Sequence, residues 1–577
     1  MLLLLSGIDD LIPLCACLHG VLRQRNANKE AAETVVTGAR ERRIAIFVPC
    51  WHESAVIGNM IRHNLSAIRY RNYDFFLGVY PNDPPTVGVA TQLSQEFPNV
   101  HMAECPHPGP TSKADCLNWI YDYMQLFEAD RQVHFDTIVL HDAEDVIHPQ
   151  ALGVINRERD HYAMVQVPVL PLATGFADVT HGVYCDEFAE YQLIDMPARQ
   201  FMRSFIPSNG VGTGFAREIL TTLAAQNGHS VFDPSNLTED YEIGVSIHAA
   251  GYKQRFVPLA KSEQGLVATR EYFPRSLPAA IRQRTRWITG IALQCWERHG
   301  WRGSWRTRYW FWRDRKGLIS NPLSIVANLL FLAGVLDYLA SATVHRPWDF
   351  TVQSRLVAAL CAITLALQWF RQALRMVCVA RIFGWQSAMG VPIRTFHANV
   401  MNSIAAFRAA HFYWSSRRRR RSLTWHKTEH AYPGRDSLHA HRRELADVLI
   451  GGGFVSEEQM AQARSQLDAD STIDLLLLAR QFVDEEALCR AMSLQSGLAA
   501  ARLDVREVSR RVARELPSHL EKQFNVIPFA VRDGRLLVAT PSVPSSAAIA
   551  QVGQAANLPV EFQLVTPSTY EKLLQLL

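Results

Sequence analysis

The strongest constraint on this chain is a run of twenty residues without a charged side chain, from Gly317 to Leu336. An α-helix needs about twenty apolar residues to cross the roughly 30 Å hydrocarbon core of a bilayer. Arg313, Arg315 and Lys316 come directly before this run. The run therefore predicts a transmembrane helix with a basic flank.

A second run, Leu356 to Phe370, holds fifteen uncharged residues and is followed by Arg371, Arg375 and Arg381. Its helix crosses a bilayer only if these arginines reach back to the headgroups or the helix leans on a neighbour. Because the basic residues lie before the first run and after the second, both outer flanks are expected in the cytoplasm. We therefore expect about two transmembrane helices, with two buried helices of a soluble domain as the alternative.

The segments that flank these runs are less apolar. Between Gly384 and Trp414 the apolar pattern is broken by charged residues, which favours a helix lying in the membrane interface. The arginines from Arg417 to Arg421 would then face anionic lipid headgroups, and nucleic acid is the competing but less favoured partner. At the N-terminus, Leu2 to Leu5 are apolar, but Asp9 and Asp10 follow so soon that no span and no signal peptide is expected.

The net charge of +4 over 577 residues is unevenly distributed. Residues 1–407 carry +1, residues 408–443 carry +8 and residues 444–577 carry −5. Together with the apolar patterns, these shifts indicate five segments. They are an N-terminal membrane-proximal segment at 1–40, an α/β domain at 41–310, transmembrane and interfacial helices at 311–415, a basic linker at 416–443 and a C-terminal domain at 444–577.

Cysteine usage indicates the compartment of the soluble parts. The chain has ten cysteines, and none of them forms a CxxC pair. This spacing suits reduced thiols in a cytosolic compartment, and it argues against a disulfide scaffold or a zinc site.

Within 41–310, short apolar runs alternate with helical patterns, as in an α/β domain built on a parallel sheet. Three runs read as strands, namely Ile44 to Val48, Phe75 to Tyr80 and Thr137 to Leu140. Each is soon followed by carboxylates, which are Glu53, Asp83 and the acidic cluster at 142–145. Because parallel strands end at one edge of a sheet, these acids are expected to converge on one crevice, although any one of them alone is more often a turn or helix cap.

The acidic cluster predicts a metal site. Asp142 and Glu144 are two residues apart, so they point to the same side of an extended chain. Paired carboxylates suit Mg²⁺ or Mn²⁺, which keep open positions for the oxygens of a diphosphate. Upstream, the loop from Gly109 to Asp115 holds Lys113, a point charge suited to a phosphate, but too few glycines for a Walker loop.

Two downstream motifs supply the remaining candidates. Glu239 and Asp240 are adjacent acids, one of which could act as a general base toward an acceptor hydroxyl. Gln283, Arg286 and Trp287 fall at positions i, i+3 and i+4 of a predicted helix. Their shared face presents an amide, a guanidinium and an indole, which suit a diphosphate and a sugar ring.

In this order the motifs resemble those of family 2 glycosyltransferases of the GT-A type, in particular the membrane-bound synthases. The resemblance rests on Pro49 with Glu53, the strand-end Asp83, Lys113 ahead of an Asp-x-acid pair, Thr-Glu-Asp at 238–240, and QxxRW at 283–287. The stretches YPNDP, GPTSKADCLN, HDAED, LTEDYEIG and WRDRKGLISN are similar to those of the NfrB family, and this likeness covers nearly the whole chain.

The resemblance implies an inverting transfer of a sugar from a nucleotide-diphosphate donor to a glycan acceptor. It further implies exopolysaccharide synthesis at the bacterial inner membrane, with the catalytic and C-terminal domains in the cytoplasm. The implied roles are donor binding by Glu53, Asp83, Lys113 and Asp142, metal binding by Asp142 and Glu144, the catalytic base at Asp240, an acceptor and diphosphate platform at Gln283, Arg286 and Trp287, and an acceptor path along Gly210 to Phe215. The family usually has Asp where Glu144 stands.

The tail contains a 28-residue internal repeat, in which Phe454 to Ala463 matches Phe482 to Ala491. Each copy predicts two helices, the second with an acidic start. Val526 to Val531 and Leu536 to Ala539, separated by Asp533-Gly534, predict a β-hairpin. The sequence therefore predicts a separate α+β module.

This module resembles the MshEN domain of type II secretion ATPases, members of which bind cyclic di-GMP. The family repeat opens with Arg-Leu-Gly and closes with Gln. The corresponding residues here are Glu444-Leu445-Ala446 and Thr472-Ile473-Asp474 at the openings, and Leu467 and Gln495 at the closings. Because a bis-phosphate needs cationic or backbone donors, a protein-docking role is favoured and cyclic di-GMP is the second candidate ligand.

A second function class stays open. The chain could be a non-catalytic envelope scaffold or signalling adaptor that anchors an outer-membrane partner protein. The complete carboxylate set favours retained chemistry. A glycosidase also uses two carboxylates, but it needs neither a QxxRW motif nor a phosphate-facing lysine.

Overall fold

The computed structural model describes residues 2–31, 41–262, 264–343, 355–419, 432–433, 444–466, 473–501, 503–532 and 534–575. Most of the predicted linker, including Arg420 and Arg421, lies outside these residues, as do Leu467, Thr472 and Asp533 of the tail. The chain divides into two compact units. The first comprises Met1–Ile57, Asp74–Gly88 and Met102–Gly434, and the second comprises Gly58–Tyr73, Val89–His101 and Arg435–Leu577.

A seven-stranded sheet organises the α/β domain, with strand order β3-β2-β1-β4-β7-β5-β8. In chain order the strands of this region are β1 (Ile44–Pro49), β2 (Tyr73–Val79), β3 (Val100–Glu104), β4 (Thr137–Leu140), β5 (Met164–Gln166), β6 (Val169–Pro171), β7 (Thr213–Ala216), β8 (Gln254–Phe256), β9 (Lys261–Ser262), β10 (Gly265–Leu266) and β11 (Thr269–Glu271). The three predicted strands are present as β1, β2 and β4. They are buried almost throughout because both of their faces are covered.

The expectation of a wholly parallel sheet is wrong at one strand. β1 and β4 are parallel, whereas β7 runs antiparallel to both β4 and β5. Gly210 and Gly212, with φ of +80° and +60°, turn the chain into β7, a conformation that favours glycine. Thr213 then lies opposite Leu140. The residues that precede β7 therefore lie at the same edge of the sheet as the acids that follow β4.

Helices surround this sheet and continue into the apolar segments. In chain order they are α1 (Leu2–Asp9), α2 (Leu11–Ala31), α3 (Ile57–Ala67), α4 (Pro84–Glu96), α5 (Lys113–Arg131), α6 (Ala151–Glu158), α7 (Val179–Glu190), α8 (Met196–Phe201), α9 (Arg217–Gln226), α10 (Glu239–Ala249), α11 (Leu277–Ile288), α12 (Cys295–His299), α13 (Trp305–Arg315), α14 (Gly317–Thr343), α15 (Arg355–Phe383), α16 (Trp385–Met389) and α17 (Val391–Arg419). One π-helical turn, Tyr191–Asp195, joins α7 to α8, and another, Thr289–Gln294, joins α11 to α12.

Three helical segments are long and apolar enough to cross a membrane, where the sequence predicted about two. They are Leu3–Leu22, Gly317–Thr343 and Arg355–Phe383. The expectation that the N-terminus is too short for a span is therefore wrong on length and composition. The segment between Gly384 and Trp414 is helical, as predicted, and contains α16 and most of α17, neither of which is among the three candidates.

Cations from later helices explain how two acids fit within the N-terminal candidate span. Asp9 Oδ2 lies 2.6 Å from the ammonium of Lys316, and Asp10 lies 3.0 Å from Arg313 and 2.9 Å from Arg371. A carboxylate in an apolar setting is tolerated when it is paired. The apolar pattern therefore continues through Asp9 and Asp10, although the sequence suggested that it ends there.

Further buried pairs connect α7 with the apolar helices. Arg394 of α17 forms two hydrogen bonds to Asp186 of α7, at 2.8 and 2.7 Å. Arg375 of α15 lies 2.6 Å from Glu190. Removing one partner of such a pair would leave an uncompensated buried charge, so these contacts specify how α15 and α17 pack against α7.

The tail has the predicted α+β composition. Its helices are α18 (Leu445–Gly451), α19 (Glu457–Arg464), α20 (Ile473–Ala479), α21 (Glu485–Ser496), α22 (Arg510–Ala513), α23 (Ser518–Phe524), α24 (Ser546–Ala555) and α25 (Pro567–Leu574). Its strands are β12 (Ala499–Ala500), β13 (Ile527–Arg532), β14 (Arg535–Thr540) and β15 (Val560–Leu564), in the order β12-β15-β14-β13. The predicted hairpin is the antiparallel pair β13–β14, which turns at Gly534 with φ of +73°.

The internal repeat is visible in the helix starts. α18 and α20 begin 28 residues apart, as do α19 and α21. The two acidic starts use equivalent caps, since Ser456 accepts a hydrogen bond from the Gln459 N–H and Asp484 accepts one from the Ala487 N–H. The repeat is therefore a pair of matched two-helix units.

Candidate active site

A cavity of about 120 Å³ lies at the edge of the sheet where β1 and β4 end. Its walls come from the segments after β1 and β4, the segment before β7, the first turns of α5 and α10, and one face of α11. The charged side chains that line it are Glu53, Lys113, Asp142, Glu144, Glu239, Asp240, Glu271 and Arg286. The cavity thus collects six carboxylates and two cations.

Asp142 and Glu144 line the cavity directly after β4, as predicted. The loop that carries them is held by Asp145, whose Oδ2 accepts a hydrogen bond from the Asp142 N–H at 3.0 Å and lies 2.6 Å from Nδ1 of His141. Burial, reinforced by the charges of Asp142 and Glu144, raises the pKa of Asp145 well above its ordinary value. Burial also lowers the pKa of His141 to about 3, so the contact between His141 and Asp145 involves a neutral imidazole.

Lys113 is the first residue of α5, where the chain turns into the helix beside the cavity. The Ser112 hydroxyl caps this helix by accepting a hydrogen bond from the Asp115 N–H at 3.2 Å. The Lys113 ammonium forms an ion pair with Asp142. Burial alone would lower the pKa of Lys113, but the carboxylates of Asp142 and Glu239 raise it above its ordinary value. Lys113 is therefore a fixed positive charge among the acids.

Glu239 and Asp240 occupy the first turn of α10, and both line the cavity. Burial raises the pKa of Asp240, and burial together with the Asp240 charge raises the pKa of Glu239 to about 7. Asp240 Oδ1 accepts a hydrogen bond from the Tyr241 N–H at 2.7 Å, while a Cβ added at Gly210 would lie 2.7 Å from Oδ2. Asp240 is therefore a well-positioned carboxylate with raised proton affinity, as a general base requires.

α11 presents the predicted face, because Gln283, Arg286 and Trp287 all line the cavity. Among the residues that the structure describes, Arg286 has no ion-pair partner and Oε1 of Gln283 has no hydrogen-bond donor. Arg284, one position along, instead bonds to Glu187 at 2.7 Å and to Asn402 at 2.6 Å. The helix thus directs one arginine into its packing interface and leaves the other available to a ligand.

The two acids after β1 and β2 differ in placement. Glu53 lines the cavity, and its backbone N–H donates to the Thr86 hydroxyl at 3.0 Å. Asp83 is buried and does not contribute to the lining, because its Oδ2 accepts the His52 N–H at 2.7 Å. His52 has a φ of +55°, so Asp83 stabilises the turn between Trp51 and Glu53.

Several lining residues escaped the sequence reasoning. Trp51 and Tyr80 pack edge to face at 5.2 Å between ring centroids, and both line the cavity. Glu271 and Phe273 reach it from the end of β11 and the segment beyond. Tyr80 belongs to a quoted motif, but no spacing signal marked Trp51, Glu271 or Phe273, since their proximity depends on β11 and the turn after β1.

The carboxylate oxygens around the cavity are suitable ligands for a divalent cation. Six carboxylates against two cations leave an excess of negative charge around the cavity, which burial makes costly. Asp142 and Glu144 supply hard oxygen ligands of the kind that Mg²⁺ and Mn²⁺ prefer. These two residues are the candidates to hold such an ion.

Two known families match parts of this chain. Residues 41–290 match the family described as glycosyltransferase like family 2, and residues 496–577 match the MshEN domain. The chain is 31% identical over 544 residues to the bacteriophage adsorption protein B of Escherichia coli (strain K12), covering 91% of this chain and 73% of that protein.

The chain belongs to the bacteriophage adsorption protein B family. The bacteriophage N4 adsorption protein B of Escherichia coli O157:H7 matches with the same identity and coverage. The α/β domain is thereby a GT-A-like domain of glycosyltransferase family 2, and the predicted NfrB and MshEN resemblances are confirmed. The MshEN match covers the sheet of the tail but not the helical repeat before residue 496.

Two solved structures are similar to parts of this chain at low identity and low TM-score. The mannosyltransferase PcManGT from Pyrobaculum calidifontis, in complex with GDP-Man and Mn²⁺, is 15% identical, covers 68% of this chain and 98% of its own, and has a TM-score of 0.37. MshE with cdg is 22% identical, covers 23% of this chain and 96% of its own, and has a TM-score of 0.21.

The contact between Gly210 and Asp240 generates the first prediction. In Gly210→Ala the new methyl group would meet Asp240 Oδ2 at 2.7 Å, and alanine disfavours the φ of +80°. We expect turnover of the sugar donor to fall by about 10- to 100-fold, since displacing a catalytic group by about 1 Å has effects of this size. Nucleotide release in steady-state assays measures the effect.

A matched control is Gly153→Ala, because a methyl group there meets open space on helix α6. This control is expected to keep wild-type turnover. Equal turnover in the two variants would contradict a role in turnover for the close approach of Gly210 to the Asp240 carboxylate.

Proposed function

We propose that this chain is a metal-dependent inner-membrane glycosyltransferase, which transfers a sugar from a nucleotide-diphosphate donor to a glycan acceptor with inversion, in exopolysaccharide synthesis. The observation that carries the proposal is the convergence in one cavity of Asp142, Glu144, Asp240 and Arg286. The family 2 glycosyltransferase match over residues 41–290 and three apolar helices agree with it.

The donor side of the proposed site is formed by Glu53, Lys113 and Asp142, with Asp83 positioning the turn at Trp51. Lys113 would meet the diphosphate as a point charge, since its ammonium already lies against Asp142. A divalent ion held by Asp142 and Glu144 would, when bound, neutralise the diphosphate and act as a Lewis acid. Asp83 would then support nucleotide binding indirectly, because it stabilises the turn between Trp51 and Glu53.

The acceptor side is formed by Asp240, Gln283 and Trp287. Asp240 takes the proton of the acceptor hydroxyl, and the oxygen attacks the anomeric carbon from the face opposite the diphosphate. This single displacement forms the glycosidic bond, breaks the bond to the diphosphate and inverts the anomeric configuration. Arg286 pairs with the charge that develops on the departing nucleoside diphosphate, a favourable effect in a site that excludes water.

The second prediction concerns Asp240→Asn. The amide keeps the shape of the carboxylate but cannot accept the proton, so we expect sugar transfer to fall by about 100- to 10,000-fold with donor binding unchanged. Purified protein is assayed with a panel of UDP- and GDP-sugars and Mg²⁺ or Mn²⁺ for nucleotide release, and donor binding is measured by calorimetry.

Glu218→Gln, a change at an exposed carboxylate on α9, is the control. Wild-type transfer by Asp240→Asn would remove Asp240 from the base role. A scaffold function predicts instead that the wild-type protein turns over no donor in the panel, which would overturn the proposal.

The third prediction is a pH dependence set by Asp240 rather than by its neighbour Glu239. A base must be ionised, and burial raises the pKa of Asp240, so kcat/KM should start to fall on acidification at a pH above the ordinary range of an aspartate. Burial and the charge of Asp240 raise the pKa of Glu239 to about 7, so Asp240 is still ionised when Glu239 takes up its proton. Glu239→Gln removes this second acid and should leave the acid limb set by Asp240 in place.

The measurement is a pH profile of kcat/KM for wild type, Glu239→Gln and the control Asp160→Asn, which lies on the protein surface. An acid limb that shifts clearly in Glu239→Gln would assign the limb to Glu239 and remove Asp240 from this role.

We further propose that the C-terminal module docks a protein and binds cyclic di-GMP weakly or not at all. Glu444 and Asp474 stand where the motif has Arg and Gly, and both carry the wrong charge for a bis-phosphate. Calorimetry of the full chain with cyclic di-GMP is expected to show no binding at micromolar ligand. A micromolar or tighter dissociation constant would reverse this assignment and make the module a nucleotide sensor.

A further inference from the structure

A second cluster of ligand-type side chains lies on the other side of α10 from the cavity. Glu242 of α10, Cys295 and His299 of α12 place one carboxylate oxygen, one sulfur and one ring nitrogen within 4.8 Å of one another. Cys295 and His299 are four residues apart, so they share a helical face. None of the three lines the cavity described above.

The geometry of the cluster is built into the backbone. The π-helical turn Thr289–Gln294 comes directly before α12 and adds an extra residue to the helix, which rotates the following face. Gln294 anchors this turn, because its Oε1 accepts from the Leu237 N–H and its Nε2 donates to the Ser235 carbonyl, each at 3.0 Å. The rotated face brings Cys295 and His299 to Glu242.

A buried cation lies beside the sulfur. Arg315 is buried, and its Nη2 lies 3.9 Å from Cys295 Sγ while its Nη1 donates to the Gly300 carbonyl at 2.5 Å. Within the described ranges, no carboxylate pairs with Arg315, and its guanidinium instead lies over the rings of Phe311 and Trp301, 4.5 and 4.7 Å from their centroids. Binding of a metal ion would convert the Cys295 thiol to a thiolate, which would then lie against this cation.

Two of the three ligand-type groups already contact each other, since His299 Nε2 lies against Glu242 Oε1. The second oxygen of Glu242 lies 3.4 Å from Nδ2 of Asn236, which is outside the ligand set. The ring of His299 stacks on Phe311 at 6.4 Å between centroids. Such contacts orient a ligating imidazole and carboxylate before an ion arrives.

We propose that Glu242, Cys295 and His299 form a binding site for one zinc ion. Sulfur, imidazole and carboxylate together suit Zn²⁺, whereas the oxygen pair at Asp142 and Glu144 suits Mg²⁺ or Mn²⁺. Three protein ligands leave the fourth tetrahedral position to water. The expectation from cysteine spacing considers CxxC pairs and does not cover ligands from two separate helices.

The ion would tie α10 to α12. α10 carries Asp240 in its first turn, and α12 continues from the helix that carries Arg286 and Trp287. One bond network would then connect the proposed base to the proposed diphosphate platform from outside the cavity. The zinc site does not depend on the proposed sugar transfer, since its ligands bind no substrate.

The test is metal binding by the purified full chain, prepared in detergent with a tag that contains no histidine. The protein is stripped of metal and titrated with Zn²⁺ against a chromophoric chelator. We expect one zinc per chain, and at least a 100-fold weaker affinity in Cys295→Ser and in His299→Ala. Cys489→Ser, a change at a buried cysteine of the tail, is the matched control and should bind as wild type does.

Co²⁺ substitution provides a readout that does not depend on activity. A sulfur-to-cobalt charge-transfer band is expected in wild type, in Cys489→Ser and in Asp142→Asn, and it should be absent in Cys295→Ser. Glu242→Gln keeps the side-chain shape and should weaken zinc binding without unfolding the protein. The proposal is overturned if wild type binds no zinc at micromolar free Zn²⁺, or if Cys295→Ser and Glu242→Gln both bind as tightly as wild type.

Discussion

Repulsion among buried carboxylates is the constraint around which the catalytic domain is arranged. Six acids line one cavity, and only Lys113 and Arg286 oppose them. Burial raises the proton affinity of Asp145, Glu239 and Asp240. The ionised form of these acids therefore carries an electrostatic cost, and a cationic ligand would stabilise it. The same cost explains why Lys113 is held against Asp142, and why this edge of the sheet suits a metal and a diphosphate.

Buried ion pairs also determine how the apolar helices pack against the α/β domain. Helix α7 presents Asp186 and Glu190, which pair with Arg394 of α17 and Arg375 of α15. Asp10 is held in the same way by cations of later helices. Because a buried charge without its partner is costly, each pair fixes one helix against another more specifically than apolar contact would.

α10 connects these features. Asp240, in its first turn, lines the cavity, while Glu242, two positions later, faces Cys295 and His299. The backbone opposite Asp240 must be glycine, since a side chain at Gly210 would occupy the space of the carboxylate. A single short helix thus carries the proposed base on one side and the proposed zinc ligand on the other, with hard and soft donor sets kept apart.

Local pattern determined much of this protein. The strands β1, β2 and β4, the α11 face with Gln283, Arg286 and Trp287, two apolar spans and the 28-residue repeat all follow from side-chain periodicity, which acts within one element. Tertiary structure decided the rest. The antiparallel β7, the N-terminal candidate span with its paired Asp10, the burial of Asp83 away from the cavity, and the meeting of Glu242 with Cys295 depend on residues far apart in the chain. A one-dimensional pattern records the chemistry of each residue, but only packing decides which charges become neighbours.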